Sequence, residues 1–187
     1  MKKLFSFFIT LISVFVFSQF AEIKKIDKKF EQKYSEIRKK YKKVHNAERE
    51  KEEAKLYEEQ AIEYENAIAE FQKNEEKIDV KTLSTDNWSK PINFEGGIGA
   101  FRKLFAENFD ISILSGNSGT VKSEVKFIVD EKGNVLNISA NGSDKFFNQI
   151  AVLTMFRIKD KGKWTPAEID GKPVKSAFRF PITMNFE

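Results

Sequence analysis

Residue types that commonly carry out catalysis are sparse in this chain. It contains no cysteine, which excludes disulfides, a thiol nucleophile, a thiolate zinc site and the attachment residue of a bacterial lipoprotein. His45 is the only histidine, so no histidine pair can bind a metal. The sequence Gly96-Gly97-Ile98-Gly99 lacks the spacing and the Lys-Ser/Thr of a phosphate-binding loop. Asp130-Glu131 lies in a predicted turn, whereas two catalytic carboxylates must converge in a cleft. We therefore expect no enzymatic activity, no cofactor and no metal.

An apolar N-terminal segment predicts export from the cytoplasm. Two lysines precede the uncharged stretch Leu4–Phe17, and Val16 and Ser18 are acceptable residues at a cleavage site. Residues 1–18 are therefore predicted to be a signal peptide that directs the protein to the periplasm. The alternative is an inner-membrane anchor, although Leu4–Ala21 supplies only 18 uncharged residues and a spanning helix needs about 20 apolar ones.

The next segment, residues 19–79, is predicted to be a charged helical or coiled-coil segment. Residues 22–79 contain neither glycine nor proline, and apolar side chains recur at steps of three and four. The first run of this apolar stripe comprises Ile23, Ile26, Phe30, Tyr34, Ile37, Tyr41 and Val44. The second run comprises Ala54, Tyr57, Ala61, Tyr64, Ile68, Phe71 and Ile78.

Charges in this segment are separated by sign. Lys24–Lys43 contains 10 basic and 3 acidic residues, whereas Glu48–Asp79 contains 5 basic and 12 acidic residues. The stripe loses phase at Val44–Ala47, where an antiparallel hairpin would bring the two blocks together. A homodimer through residues 22–79 would pair the blocks between chains, and a single extended helix would leave them solvated. The sequence leaves these three arrangements open.

The composition changes near Val80. Residues 80–92 are predicted to be a polar linker, and residues 93–187 a separate domain. Apolar periodicity predicts five elements in the domain: a helix at 98–105, strands at 121–129 and 135–140, a helix at 146–153 and a strand at 178–187. The predicted fold is α+β. A long N-terminal charged helix or helical hairpin precedes a small two-layer domain, in which two helices cover a three-stranded antiparallel sheet.

Several short motifs stand out in this domain. The first two strands carry Gly119-Thr120-Val121, Val125-Lys126-Phe127-Ile128-Val129-Asp130 and Gly133-Asn134-Val135. The connection to the last strand carries Trp164-Thr165-Pro166-Ala167 and Gly171-Lys172-Pro173-Val174, and Glu95-Gly96-Gly97 opens the first helix. Together these motifs resemble the TonB C-terminal domain family over about residues 93–187. The family-motif residues expected to have structural roles are Gly119, Gly133, Trp164, Pro166, Gly171 and Val174. Trp164 is expected in the core.

The resemblance implies a function. It indicates a periplasmic TonB-like protein that binds an envelope partner through its C-terminal domain in TonB-dependent outer-membrane transport. Two features depart from the family pattern: Asn108-Phe109-Asp110 replaces a common Tyr-Pro, and a charged helix replaces a proline-rich spacer. Two alternatives stay open. The protein is a membrane-anchored energy transducer if residues 1–18 are retained, or a structural protein that oligomerises through its helices.

The last strand is predicted to bind the partner. Pro181 cannot donate a ladder hydrogen bond and therefore favours an edge position. An extended peptide can add to such an edge as a further strand, as the resemblance implies. The partner-binding residues expected there are Arg179, Pro181, Thr183 and Asn185.

The expected partner is a protein or peptide, such as an outer-membrane receptor, and not nucleic acid. Membrane contact is expected only through residues 1–18 if they are retained. Alternatively, Pro181 only protects the edge against aggregation.

Overall fold

The computed structural model describes residues 2–42, 44, 46–79, 83, 87–110 and 119–186, with only the backbone of residues 2–18 and 20. The side chains of Val16 and Ser18, at the predicted cleavage site, and all of His45 lie outside the described part. The chain divides into two compact units, Met1–Phe71 and Gln72–Glu187, and each is described by itself. Among the described residues, no helix is both long enough and apolar enough to cross a membrane.

The first unit is an antiparallel helical hairpin of α1 (Lys2–Lys40) and α2 (Ala47–Gln72). Lys33 Nζ lies 2.9 Å from Glu59 Oε2. Lys29, one helical turn before Lys33 on α1, pairs with Glu63, which lies one turn after Glu59 on α2. Near the turn between the helices, Lys40 pairs with Glu52. The hairpin, one of the three arrangements that the sequence left open, is therefore the one observed, and the basic block of α1 faces the acidic block of α2.

The predicted apolar stripe is buried at the start of α1, but on α2 Tyr64 is the one residue of the second run that is buried. Ile23, Ile26 and Phe30 are buried, as the first run predicts, but its last member, Val44, is 58% exposed. The buried residues of α2 are Leu56, Gln60, Tyr64 and Ala67, whereas Ala54, Tyr57, Ala61, Ile68 and Phe71 of the second run are exposed or half-buried.

The rotation of the α2 stripe has a physical cause in hydrogen bonding. Gln60 Nε2 donates to Tyr64 Oη at 2.9 Å, and that hydroxyl donates to Asp27 Oδ1 on α1 at 2.7 Å. These hydrogen bonds satisfy Gln60 Nε2 and the Tyr64 hydroxyl, whereas Gln60 Oε1 is buried without a hydrogen-bond partner among the described residues. A count of apolar positions cannot anticipate that a glutamine occupies the buried line.

The second unit is built on a three-stranded antiparallel sheet with strand order β3-β2-β7. In chain order its elements are β1 (Asn93–Phe94), α3 (Gly97–Asn108), β2 (Gly119–Val129), β3 (Val135–Gly142), α4 (Lys145–Ile158), β4 (Trp164–Thr165), β5 (Ala167–Ile169), β6 (Lys172–Val174) and β7 (Ser176–Phe186). The predicted helix–strand–strand–helix–strand order and the three-stranded sheet are thus confirmed. The short ladders β1–β4 and β5–β6 were not predicted.

An aromatic cluster forms the core between the sheet and α3. Phe101 of α3 lies 4.9 Å from Trp164 and 5.0 Å from Phe180 between ring centroids, and Trp164 lies 5.1 Å from Phe127 of β2. Eleven of the residues of α4 are buried, from Phe146 to Ile158. Aromatic pairs in tilted and edge-to-face geometry stabilise a core beyond the area that they bury.

The described residues 73–79 and 87–92 do not form the helix end and linker that the sequence predicted. α2 ends at Gln72, and residues 73–79 are non-helical. Downstream, the backbone N–H of Ser89 donates to the carbonyl of Glu168 at 2.7 Å, and Ile92 is only 6% exposed. Residues 87–92 therefore contact β5 through backbone hydrogen bonds. Residues 72–78 contact the sheet, as described below.

Candidate functional site

The final strand lies at an edge of the sheet. β2 is central, and β7 pairs with it along its whole length, from Gly119↔Phe186 to Val129↔Ser176. Among the described residues, β7 has no partner strand on its other side. The edge position predicted from Pro181 is therefore confirmed. A strand at an edge presents N–H and C=O groups to which another chain can pair.

Pro181 sits in the strand without disturbing its pairing. The register continues through Pro181, opposite Glu124, from Arg179 to Thr183. A proline fits there when its nitrogen points away from the neighbouring strand, which is the arrangement that an edge permits. Successive residues of a strand alternate in direction, so residues two apart present their backbone N–H groups on the same side. An added strand would find no N–H donor at Pro181. It could pair with the N–H groups of Arg179 and Thr183, which lie two residues away on either side.

One side of β7 forms an apolar ledge beside this edge. Phe180 is buried against Phe105 and Phe101 of α3, with ring centroids 4.9 and 5.0 Å apart. The next three residues on the same side of the strand, Ile182, Met184 and Phe186, are only half-buried. We call these three residues the β7 ledge. Half-buried apolar side chains beside an open edge can pack against alternate side chains of an added strand.

The opposite side of β7 is polar and basic. All four predicted partner-binding residues, Arg179, Pro181, Thr183 and Asn185, are exposed there. Their cross-strand partners on β2 include Lys126, opposite Arg179, and Lys122, opposite Thr183. Asn185 Oδ1 accepts a hydrogen bond from Thr120 Oγ1 at 2.9 Å. This side therefore combines three cations with uncharged hydrogen-bonding groups.

The acidic residue of this side is held in its charged form. Lys126 Nζ lies 2.8 Å from Glu124 Oε1. The hydrogen bond from Lys126 lowers the pKa of the Glu124 carboxyl, and the positive charges of Lys126 and Arg179 act in the same direction. Lys122 and Arg179 remain as exposed cations on either side of this pair. The outward side of β7 and β2 is thus suited to acidic side chains of a partner.

The other edge of the sheet is covered by the chain itself. Gln72 Nε2 donates to the carbonyl of Ile138 on β3 at 2.6 Å. The backbone N–H of Asn137 donates to Glu75 Oε2 at 2.9 Å, and that of Ile78 donates to Asn137 Oδ1 at 3.2 Å. We call residues 72–78 the β3 strap. Its hydrogen bonds satisfy the carbonyl of Ile138 and the N–H of Asn137, which an open edge would leave exposed.

Asn137 makes this attachment possible. Its φ of 50° is left-handed, and the β2–β3 register shifts beside it, between Lys126 and Ile128. Such a bulge turns a residue out of the ladder, and asparagine tolerates the left-handed conformation better than most residues. Sequence reasoning missed this role of Asn137. The available signal was an asparagine between two large apolar residues, Leu136 and Ile138.

A lysine attaches the strap at a second point. Lys175 Nζ lies 3.1 Å from Glu76 Oε2, and this hydrogen bond raises the pKa of Lys175. Lys175 immediately precedes β7, so the strap contacts both β3 and the residue at the start of the open strand. The two edges of one sheet therefore differ: one binds part of the protein's own chain, and the other pairs with no further strand in the described part of the chain.

The family-motif residues have structural positions. Trp164 is 5% exposed and belongs to the aromatic core, as expected. Gly133, at φ 83°, lies so close to the Trp164 carbonyl that an added Cβ would be 2.3 Å from its oxygen. Gly171 forms the β5–β6 turn with Asp170, both at positive φ. Gly119 begins β2 at φ 76°, Pro166 is half-buried between β4 and β5, and Val174 pairs with Ala167.

The described residues offer no arrangement for metal chemistry. They contain no group of three or more His, Asp or Glu side chains placed to hold a metal ion. A surface groove of about 440 Å³ runs between α1 and α2, with Ile37 and Leu56 in its lining. Its charged lining includes the ion pairs Lys33–Glu59 and Lys40–Glu52. The open edge of β7 is the stronger candidate site.

Comparison with family models, with curated proteins and with solved structures finds no match. Membership of the TonB C-terminal domain family therefore remains a prediction based on the motifs.

Proposed function

We propose that the second unit binds an extended peptide by adding it as a fourth strand at the open edge of β7. The observation that carries this proposal is the difference between the two edges: residues 72–78 bind Asn137 and Ile138 of β3, whereas β7 pairs with β2 alone among the described strands. In strand addition, main-chain hydrogen bonds supply affinity and alternate side chains supply specificity. The motif resemblance to TonB C-terminal domains, which implies the same mode of binding, supports the proposal.

The two sides of β7 define the peptide that fits. Side chains on the helix-covered side would pack on the β7 ledge of Ile182, Met184 and Phe186, so apolar residues suit them. Side chains on the other side would lie near Arg179 and Lys122, so acidic residues suit them. The proposed ligand is a short segment that alternates apolar and acidic residues. An N-terminal segment of an outer-membrane receptor is the source that the TonB-like function implies.

Amide hydrogen exchange on the full chain tests this proposal. The probe is a synthetic decapeptide with alternating apolar and acidic residues, and its control has the same composition without alternation. The alternating peptide should slow exchange within residues 176–186 and the control should not, because only the former places its apolar side chains on one side. Protection confined to residues 97–108 or to residues 22–79 would refute binding at this edge.

A pair of variants separates the backbone from the side chain. Thr183 lies two residues from Pro181, so its N–H is on the same side of the strand. Thr183→Pro removes that donor and keeps the β2 ladder, whereas Thr183→Ala removes only the side chain. We expect Thr183→Pro to weaken peptide binding about tenfold, because one backbone hydrogen bond to the peptide is lost. Thr183→Ala keeps that hydrogen bond and should weaken binding less than about threefold. Equal affinities would show that the peptide does not pair with β7.

The cellular part of the proposal is an envelope protein that takes part in TonB-dependent outer-membrane transport. It is supported by the leader-like residues 1–18 and by the motifs of the second unit. Mass spectrometry of the protein extracted from the envelope tests it. A mature chain beginning at Gln19 would support a periplasmic binding protein. An intact N-terminus in the membrane fraction would favour the anchored energy transducer instead.

A further inference from the structure

The outward face of α1 is strongly basic, and the hairpin leaves it unpaired. Five cations lie on this face, which we call the α1 basic face: Lys24, Lys25, Lys28, Arg38 and Lys39. Positions 24, 28 and 39 are separated by nearly whole helical turns and therefore lie on one side of the helix. The buried residues Ile23, Ile26 and Phe30 lie on the opposite side, toward the seam of the hairpin.

The pairing within the hairpin uses other lysines. Lys29, Lys33 and Lys40 bind glutamates of α2. All five residues of the α1 basic face are exposed, and within the described chain none of them forms an ion pair. Two exposed carboxylates lie between residues 24 and 39: Glu31 lies among the cations of the face, and Glu36 lines the groove toward α2. The five cations and Glu31 give this face alone a charge of +4, equal to the net charge of the whole chain.

The form of this surface indicates a flat, anionic partner. From residue 24 to residue 39 the helix extends about 22 Å at 1.5 Å per residue. Four of the five cations are lysines, which act as hydrated point charges and suit a diffuse field of phosphates. Proteins that bind nucleic acid also use aromatic side chains, on which bases stack. The residues between the cations on this face, Glu31, Gln32 and Ser35, include no aromatic.

Chain continuity favours a lipid surface over other polyanions. While residues 1–18 are retained, α1 is one helix from Lys2 to Lys40, and Lys24, Lys25 and Lys28 lie about two to three helical turns beyond the apolar stretch Leu4–Phe17. Clusters of four to eight lysines or arginines beside an apolar segment, or along a helix, bind anionic headgroups. We propose that the α1 basic face binds the phosphate-rich surface of an anionic phospholipid bilayer. This interaction is independent of the peptide site on β7.

Vesicle co-sedimentation of the full chain tests the proposal. Vesicles of phosphatidylcholine with about 30% phosphatidylglycerol are compared with phosphatidylcholine alone, in about 50 mM and 500 mM salt, a range over which exposed charges become screened. Binding should require phosphatidylglycerol and weaken strongly in high salt. Binding that is equal on both vesicles and insensitive to salt would show that the apolar N-terminal segment alone is responsible, and would overturn the proposal.

Matched variants locate the interaction. The test variant replaces Lys24, Lys25, Lys28 and Lys39 by Gln, and the control replaces the exposed Lys51, Lys132, Lys163 and Lys172 by Gln, with the same change in net charge. Each lysine at a lipid surface is worth a factor of about five in affinity. The test variant should therefore lose at least about a hundredfold, and the control less than about threefold. Equal losses would show that net charge alone matters and would overturn the proposal.

Two further measurements keep the result decisive. Replacing the same four lysines by arginine preserves charge and helix propensity, so this variant should bind the vesicles as the wild type does. Failure of the arginine variant to bind would show that the substitutions disturb the hairpin and that charge is not the cause. A 20-base-pair DNA duplex is tested in parallel. Retention of DNA by the wild type without any binding to vesicles would assign the face to nucleic acid and overturn the lipid proposal.

Discussion

The second unit and the helical hairpin bury different kinds of side chain. In the second unit, the rings of Phe94 and Phe127 each pack within about 6 Å of both Phe101 and Trp164. In the hairpin, Gln60 is buried beside Tyr64, and interhelical ion pairs lie along the exposed side of the seam. Area burial dominates the stability of the first arrangement, whereas exposed ion pairs contribute little and depend on salt. The two units should therefore respond to different perturbations.

The protein also carries separate spectroscopic reporters for this comparison. All four tyrosines, at positions 34, 41, 57 and 64, belong to Met1–Phe71, and both tryptophans, at positions 88 and 164, belong to Gln72–Glu187. Tryptophan fluorescence therefore follows the second unit, and tyrosine absorbance follows the hairpin. Each prediction below can be assigned to one unit in the intact chain.

The largest effect is expected from Trp164→Ala. The indole contacts rings of Phe94, Phe101, Phe127 and Phe178, so its removal leaves a large cavity. The expected loss is about 3–5 kcal/mol of unfolding free energy, a large share of the roughly 5–15 kcal/mol of a small domain. Near-UV circular dichroism of Trp88 and urea unfolding measure it. A urea midpoint equal to that of the wild type would show that the aromatic cluster does not stabilise the unit.

The next largest effect is expected in a comparison of Gly133 and Gly119, which both have a left-handed backbone conformation. Gly133→Ala adds a Cβ 2.3 Å from the Trp164 carbonyl oxygen, whereas the Cβ of Gly119→Ala would meet nothing within 4 Å. Both variants incur about 1–2 kcal/mol of backbone strain, and Gly133→Ala incurs the clash in addition. Chemical denaturation should rank Gly133→Ala clearly below Gly119→Ala. Equal stabilities would mean that the β2–β3 turn moves away from Trp164 at no cost.

A smaller effect is expected in the hairpin from the interhelical lysines. Replacing Lys29, Lys33 and Lys40 by Gln removes all three ion pairs, whereas replacing Lys24, Lys28 and Lys39 removes the same charge from the outward face. The first set should lower the thermal midpoint of the hairpin slightly and the second should not. The difference should disappear in 1 M salt, where the Debye length is about 3 Å. A difference that persists there would assign the effect to packing.

The smallest effect is an alkaline weakening of the hairpin through Tyr34. Burial, and then the charge of Glu53, raise the pKa of Tyr34 to about 12 from its ordinary value of 10. Between these values only the unfolded chain releases the proton, so stability present below pH 10 is lost as the pH rises to 12. Tyr34→Phe should reduce this loss, measured by helicity at 222 nm, and the control Tyr41→Phe should retain it. Identical profiles would contradict the assignment.

The regular elements could be predicted because their patterns are local. The alternation in β2 and β7 identifies strands with one buried side, and the break at residues 44–47 identifies the turn of the hairpin. The edge position of β7 followed from Pro181, because a missing N–H restricts where a strand can lie. The candidate site was therefore within reach of sequence reasoning.

Features that depend on contacts between distant residues were not predictable. Asn137 receives a strap that begins at Gln72, and nothing in the sequence near either residue indicates the other. The buried line of α2 includes Gln60 because Tyr64 reaches Asp27 on the other helix. The ladders of β4, β5 and β6 are two or three residues long, too short to produce a periodic pattern.

The pairing of the central strand also limits when the second unit can fold. Gly119 of β2 pairs with Phe186, and the other neighbour, β3, follows β2 directly. While the chain is being synthesised, β2 and β3 can form their hairpin, but the third strand does not yet exist. Pairing between residues distant in sequence is slow because a long loop must close first. The sheet of the second unit can therefore be completed only after its last strand has been synthesised.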